Sequence, residues 1–125
     1  MVRIKLKKSK GKGRGVFAES SIKKGQIIET CPVIVLPKKD TKLIEKTGLY
    51  DYYFGWGKGL KESAIALGYG SLYNHSFDPN ALYIKDFKKE LLIFKARRNI
   101  KKGEEILVNY NGDPLSQNPM WFKVK

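Results

Sequence analysis

Four groups of residues have types and spacing suited to chemistry. Gly11-Lys12-Gly13-Arg14-Gly15 alternates glycines with cations, and Asn74-His75-Ser76 is followed closely by Asp78-Pro79-Asn80. Tyr50-Asp51-Tyr52-Tyr53-Phe54-Gly55-Trp56 gathers five aromatics in seven residues, and Gly103-Glu104-Glu105-Ile106 leads to Tyr110. The glycine loop either cradles a ligand through its backbone or is a hairpin loop whose glycines permit positive φ; it lacks the complete dinucleotide and P-loop patterns. His75 is the single histidine and Cys31 the single cysteine. A metal site or a Cys-His nucleophile pair would have to use His75, and no further ligands stand at metal spacing. Cys31 cannot close an internal disulfide, and no set of Cys and His for structural zinc exists. Taken alone, Tyr110 reads as an aromatic plug at a strand end.

The elements that must position these residues are mostly short strands. Val2 to Lys7 alternates apolar and basic residues with period two, as a half-buried strand does, and Arg14 to Glu19 is a second short strand. Ser20 to Gly25 is a turn before the apolar run Gln26 to Leu36, which Pro32 makes either two strands or a strand with a bulge. Between Asp40 and Thr47 a short helix is expected, with Asp40 available as N-cap and Gly48 just past the end. Gly68 to Asn80 is rich in glycine and turn residues and predicts irregular backbone. Strands resume at Ala81 to Phe87, Leu91 to Ala96 and Glu104 to Asn109. Ile22-Lys23-Lys24-Gly25 and Ile100-Lys101-Lys102-Gly103 are identical tetrads, too short to establish a duplication.

The 125 residues fit one domain spanning 1–125, and 42% hydrophobic residues with 15 aromatics supply a packed core. No apolar run approaches the roughly 20 residues that cross a bilayer, so a soluble, intracellular protein without membrane contact is expected. Lys and Arg outnumber Asp and Glu by 25 to 12, a formal charge of +13, which attracts polyanions or acidic surfaces. Twenty-one of these cations are lysines and four are arginines, so any nucleic-acid contact should be nonspecific. Seven cations and no acid fall within residues 1–15, as a solvated strand face or as a patch that steers a partner.

Taken in order, Gly13-Arg14-Gly15-Val16-Phe17-Ala18, then Asn74-His75-Ser76 with Asp78-Pro79-Asn80, then Gly103-Glu104-Glu105-Ile106 ending at Tyr110, the chain resembles the SET-domain protein-lysine methyltransferases from about Lys7 to Gly112. The resemblance implies a mostly β, β-clip-like fold of several small sheets with little helix, in which the Asn74 and Tyr110 segments meet in a C-terminal pseudoknot. It implies a variable insert at about 38–62 and a short tail at about 113–125. S-adenosylmethionine is the implied cofactor, held by Lys12, Gly13, Arg14, Gly15, Tyr73, Asn74, His75 and Trp121. Tyr110 and Tyr52 are the implied catalytic residues, with Tyr53 the alternative to Tyr52, and no metal is implied. The implied partner is a protein lysine, on histones or other basic chromatin-type proteins, for a monomer or homodimer that is cytoplasmic, or nuclear in a eukaryotic cell. Val108, two before Tyr110, either faces the lysine channel or fills the core beside Ile106. Trp121 and Phe122 would close the site where family members use zinc-binding cysteines, or would pack in the core. This chain has Leu72-Tyr73 where the family commonly has Arg-Phe, and Thr30-Cys31-Pro32-Val33 where it commonly has aromatic-x-Gly. A noncatalytic SET-fold binding module and a basic nucleic-acid-associated protein are the competing expectations.

Overall fold

A computed structural model describes residues 2–120. Its strands are β1 (Ile4–Ser9), β2 (Gly13–Ala18), β3 (Ile27–Leu36), β4 (Phe54–Trp56), β5 (Glu62–Ala66), β6 (Asn74–His75), β7 (Ala81–Asp86), β8 (Leu91–Ala96) and β9 (Leu107–Val108), and its α-helix is α1 (Lys38–Ile44). Short 3-10 turns cover Gly48–Asp51, Lys58–Leu60 and Gly70–Leu72. The strands form a β1-β2 hairpin, a five-stranded antiparallel sheet in the order β4-β5-β3-β8-β7, and a parallel β6-β9 pair. This is the mostly β arrangement of small sheets that the resemblance implies.

Period-two alternation explains the elements it predicted. In β1, Ile4 and Leu6 are half-buried and Lys5 and Lys7 exposed, and the hairpin pairs Ile4 with Ala18 through to Ser9 with Gly13. Gly11 and Gly13 turn the chain at φ 76° and 77°, a region where an L side chain is strained. The run after Gln26 is one ten-residue strand, with a register shift between Ile27 and Glu29. β3 pairs β8 as far as Pro32 and β5 from Val33 onward, so the proline stands where the strand changes partner. Its missing N–H interrupts no continuous ladder there.

The helix differs from expectation. It begins at Lys38 behind Pro37, whose carbonyl accepts from Asp40 N at 2.9 Å, so Asp40 lies in the first turn rather than at the N-cap. A proline already has the φ that helix entry needs, and Asp40 gains from the positive end of the dipole. Gly48 opens a 3-10 turn capped by the Thr47 hydroxyl, which accepts from Leu49 N at 3.2 Å.

The five-stranded sheet curls until its edge strands touch. Phe54 meets the Tyr83 ring at 5.2 Å and Trp56 meets Phe87 at 5.0 Å, both edge-on, while Lys85 Nζ donates to the Gly55 carbonyl at 2.7 Å. Phe94, Leu92, Tyr73, Val16 and Ile106 fill the interior with at most 2% exposure.

The repeated tetrads meet. Ile22 and Ile100 exchange both backbone hydrogen bonds at 2.8 Å, and each side chain is 1% exposed. Around them the bonds are reciprocal: Gly25 N donates to Ala96 O and Gly103 N to Ala18 O, while Ala96 N donates to Gln26 O and Ala18 N to Glu104 O. Even the side chains correspond, since Gln26 Oε1 accepts from Lys23 N and Glu104 Oε1 from Lys101 N. Both turns end on a glycine at positive φ, 87° and 93°, where an added Cβ would touch nothing within 4 Å. Gly25→Ala and Gly103→Ala therefore isolate backbone strain from collision. Each is expected to destabilise the fold by about 1–2 kcal/mol in urea denaturation; unchanged midpoints would show that the turns are not held as described.

Candidate active site

The C-terminal segment runs between β2 and β6 and binds both. Phe17 bridges Glu105, Ile106 N donates to Val16 O at 2.8 Å, and on the other side Asn74 and His75 pair in parallel with Leu107 and Val108. Asn80 extends this lattice with a buried amide, Nδ2 donating to Glu105 O and Oδ1 accepting from Leu107 N, each at 2.8 Å. His75 fixes the next step, its Nδ1 accepting from Tyr110 N at 3.0 Å. The ring is 3% exposed and stands edge-on to Phe77 at 4.5 Å. Burial, then the charge of Lys12, lowers its pKa from 6.5.

Glu105 is the junction of the site. Its Oε1 accepts from Ser9 Oγ at 2.8 Å and its Oε2 from Asn74 Nδ2 at 2.7 Å, and Asn74 Nδ2 also donates to Arg14 O at 2.9 Å. A Cβ on Gly15 would collide with that carboxylate and with Asn74 Nδ2, so a side chain there would have to displace the hydrogen-bonded pair.

Two cavities meet on this scaffold. One, of about 390 Å³, is lined by Lys12, Gly13, Arg14, Leu72 and Asn74. The other, of about 290 Å³, is walled by Tyr50, Tyr53, Phe54, Tyr83, Lys85 and Val108. Asp51, Tyr52, Ser71 and Tyr110 line both. Tyr110 OH donates to the Tyr73 carbonyl at 2.6 Å. Burial first, and then neighbours including Tyr52 and Glu105, push its pKa well above the usual phenol range.

Of the residues the sequence singled out, Lys12, Gly13, Arg14 and Asn74 come together on the larger cavity and Gly15 lies just behind it. Tyr52 and Tyr110 share the boundary, whereas Tyr53 lines only the aromatic cavity and donates to Glu45 Oε2 at 3.2 Å. Tyr73 and His75 flank Asn74 with their rings turned inward. The Tyr73 ring is 2% exposed, stacked on Phe94 at 4.1 Å and bonded to Glu29 Oε1 at 2.7 Å, so at the site it acts through its carbonyl. The His75 ring braces Tyr110 from within the core and does not line the larger cavity. Trp121, with Phe122, lies outside the described residues. Among the described residues no group of three or more His, Cys, Asp or Glu could hold a metal ion, and no helix is long and apolar enough to cross a membrane.

This geometry agrees with the comparison to known proteins. The SET domain family model matches residues 13–111, which include both cavities' shared residues. The chain belongs to the SET-domain family. A Schizosaccharomyces pombe histone-lysine N-methyltransferase, H3 lysine-37 specific, is 33% identical over 96% of this chain and 77% of its own. The N-lysine methyltransferase KMT5A-A of Danio rerio is 35% identical over 80% of this chain and 33% of its own length. Among solved structures, a Plasmodium falciparum protein assigned to the histone methyltransferases superposes with TM-score 0.71 at 34% identity, covering 98% of this chain and 99% of the other.

Within this SET domain three contributors were not legible beforehand. Glu105 has a place in the Gly103-Glu104-Glu105-Ile106 motif and the expected strand but no role of its own there, and only the fold gives it three elements to join. Glu29 holds Tyr73 OH and accepts from Tyr69 N at 3.0 Å, while burial and Glu29 raise the Cys31 thiol to about 12, which leaves it inert. Lys85 had a signal, since Ala81, Tyr83 and Lys85 share the inward face of β7.

The lowered pKa of His75 has a defined sign. A neutral ring is needed to accept from Tyr110, so its contribution is complete above 6.5 and is lost as pH falls through the lowered folded value. Because His75 is the only histidine, its NMR titration is unambiguous. Its midpoint is expected below 6.5, rising in Lys12→Gln, with thermal stability falling over the same acid range. A midpoint at or above 6.5 contradicts the bracing role.

Proposed function

We propose that this SET domain transfers methyl groups from S-adenosylmethionine to the ε-amine of a protein lysine, with histones and similar lysine-rich proteins as the substrate class, inside the cell. Its class, protein-lysine methyltransferase, follows from the family and its relatives. The observation that carries the rest is the meeting of a glycine-loop cavity and an aromatic cavity at Tyr52 and Tyr110.

The larger cavity suits the cofactor. A Cβ on Gly13 would meet nothing within 4 Å, so backbone is open to a ligand there. Both N–H directions of Asn74 are spent on Arg14 O and Glu105, which leaves its side-chain carbonyl to accept from the cofactor's amino group. Lys12 and Arg14 stand where a carboxylate could be met. When bound, S-adenosylmethionine supplies an electrophilic methyl carbon on a sulfonium.

The aromatic cavity deals with the proton. A lysine with reference pKa about 10.4 is neutral to only about one part in a thousand at pH 7, and the neutral form alone has a lone pair. Walls of tyrosine and phenylalanine strip water from the ammonium and disfavour it, and the cationic Lys85 on the same wall adds repulsion. Lys85 is itself lowered by burial. Tyr110 takes no proton, because its own pKa is pushed up and its hydroxyl stays a donor. Its part is to hold the amine in line, with the Tyr73 carbonyl beside it, while the proton leaves to water.

Val108 lines this cavity two residues before Tyr110 and is 1% exposed. Its short side chain has no hydroxyl to anchor a blocking water, so an amine already methylated has room to turn, and dimethyl and trimethyl products follow. Tyr110→Phe tests the assignment, since it removes one hydroxyl and one hydrogen bond of about 0.5–1.5 kcal/mol. Turnover on a histone peptide is expected to fall at least tenfold, with cofactor affinity nearly unchanged. Wild-type products followed by mass spectrometry should pass monomethyl-lysine. Half of wild-type turnover in the variant overturns the role of Tyr110, and a stop at monomethyl-lysine overturns that of Val108.

A further inference from the structure

The Ile22–Ile100 bridge gathers lysines far apart in sequence. Lys23, Lys24, Lys101 and Lys102 are all exposed, and the two backbone bonds between their tetrads place them around one point of the surface. None of the four takes part in the two ion pairs found among the described residues, Lys5–Glu19 and Arg98–Asp78. The one carboxylate within the two turns, Glu104, is folded back onto Lys101 N. Ser21 and Asn99 are exposed beside the lysines and add polar groups of the kind that contact phosphate.

From this arrangement we infer that the paired Ile-Lys-Lys-Gly turns form a docking surface for the phosphate backbone of a nucleic acid, bound without regard to sequence. A protein partner would need an apolar centre, and the tetrads' only apolar side chains, Ile22 and Ile100, are each 1% exposed. Compact ammonium charges suit single phosphates, whereas reading bases would favour arginine. Each turn ends on a glycine at positive φ and the two are tied together by backbone hydrogen bonds, so the four lysines stand on paired turns. The surface lies at the Ala18 end of β2, about 17 Å from the Gly13 end by strand rise. A bound polymer there leaves both cavities open. The inference does not depend on the methyl-transfer reading.

The test uses fluorescence anisotropy with a labelled random-sequence DNA duplex across a salt series. The variant carries Lys23→Gln, Lys24→Gln, Lys101→Gln and Lys102→Gln; a control of equal charge carries Lys38→Gln, Lys39→Gln, Lys42→Gln and Lys46→Gln in and after α1. Wild type is expected to bind with a steep salt dependence. The turn variant is expected to lose at least tenfold in affinity and about 3–4 from the slope of log K against log salt, near 0.9 per lost phosphate contact, while the control changes less than threefold. Equal losses in both variants overturn the localisation to the turns. No binding by wild type at low salt, or equal affinity for polyglutamate and DNA, overturns the nucleic-acid assignment.

Discussion

The Glu105 carboxylate is the constraint on which the site depends. It comes from the C-terminal segment and accepts hydrogen bonds from β1 through Ser9 and from β6 through Asn74, whose amide passes the connection to the glycine loop at Arg14 O. Charge-assisted bonds of this kind contribute about 1.5–3 kcal/mol each. Their larger effect is orientation, because the bond to Glu105 and the one to Arg14 O together use both side-chain N–H groups of Asn74 and so decide which way its carbonyl points. The missing side chain of Gly15 is the space that lets the loop come this close.

Two cavities with different chemistry consequently share one wall. The segment that carries Glu105 continues through Val108 to Tyr110, and pairing with Asn74 and His75 sets its register. His75 ties the Tyr110 backbone to that pairing, and the Tyr73 carbonyl ties its hydroxyl, so ring and hydroxyl are fixed from opposite ends. A cavity lined by the glycine loop and one walled by aromatics are thus aligned by backbone register. A one-residue slip would move Tyr110 off the boundary.

Much of this was legible because it is periodic. β1 shows in sequence the alternation that one face of a strand imposes, β2, β7 and β8 stand out as short runs between turn signals, and three motifs in order carried the family. Roles set by direction were less accessible. Tyr73 and His75 flank Asn74, and the resemblance sets all three beside the cofactor without saying how their rings point; the Tyr73 ring turns inward to Phe94 and Glu29, and the His75 ring to Tyr110. The repeated Ile-Lys-Lys-Gly tetrads were visible but unexplained, since nothing in a linear pattern says that residues 78 apart bond to each other. β4 and β6 went unseen because two or three residues carry no period.

The central claim is that Glu105 acts on the cofactor cavity through Asn74. Its direct test is a double-mutant cycle, with Glu105→Ala, Asn74→Ala and the double variant measured by calorimetry against S-adenosylhomocysteine and checked for folding by urea denaturation. Each single change is predicted to weaken binding at least tenfold, and the double variant to bind no worse than the weaker single. Losses that multiply, or a Glu105→Ala protein that binds like wild type, would contradict it.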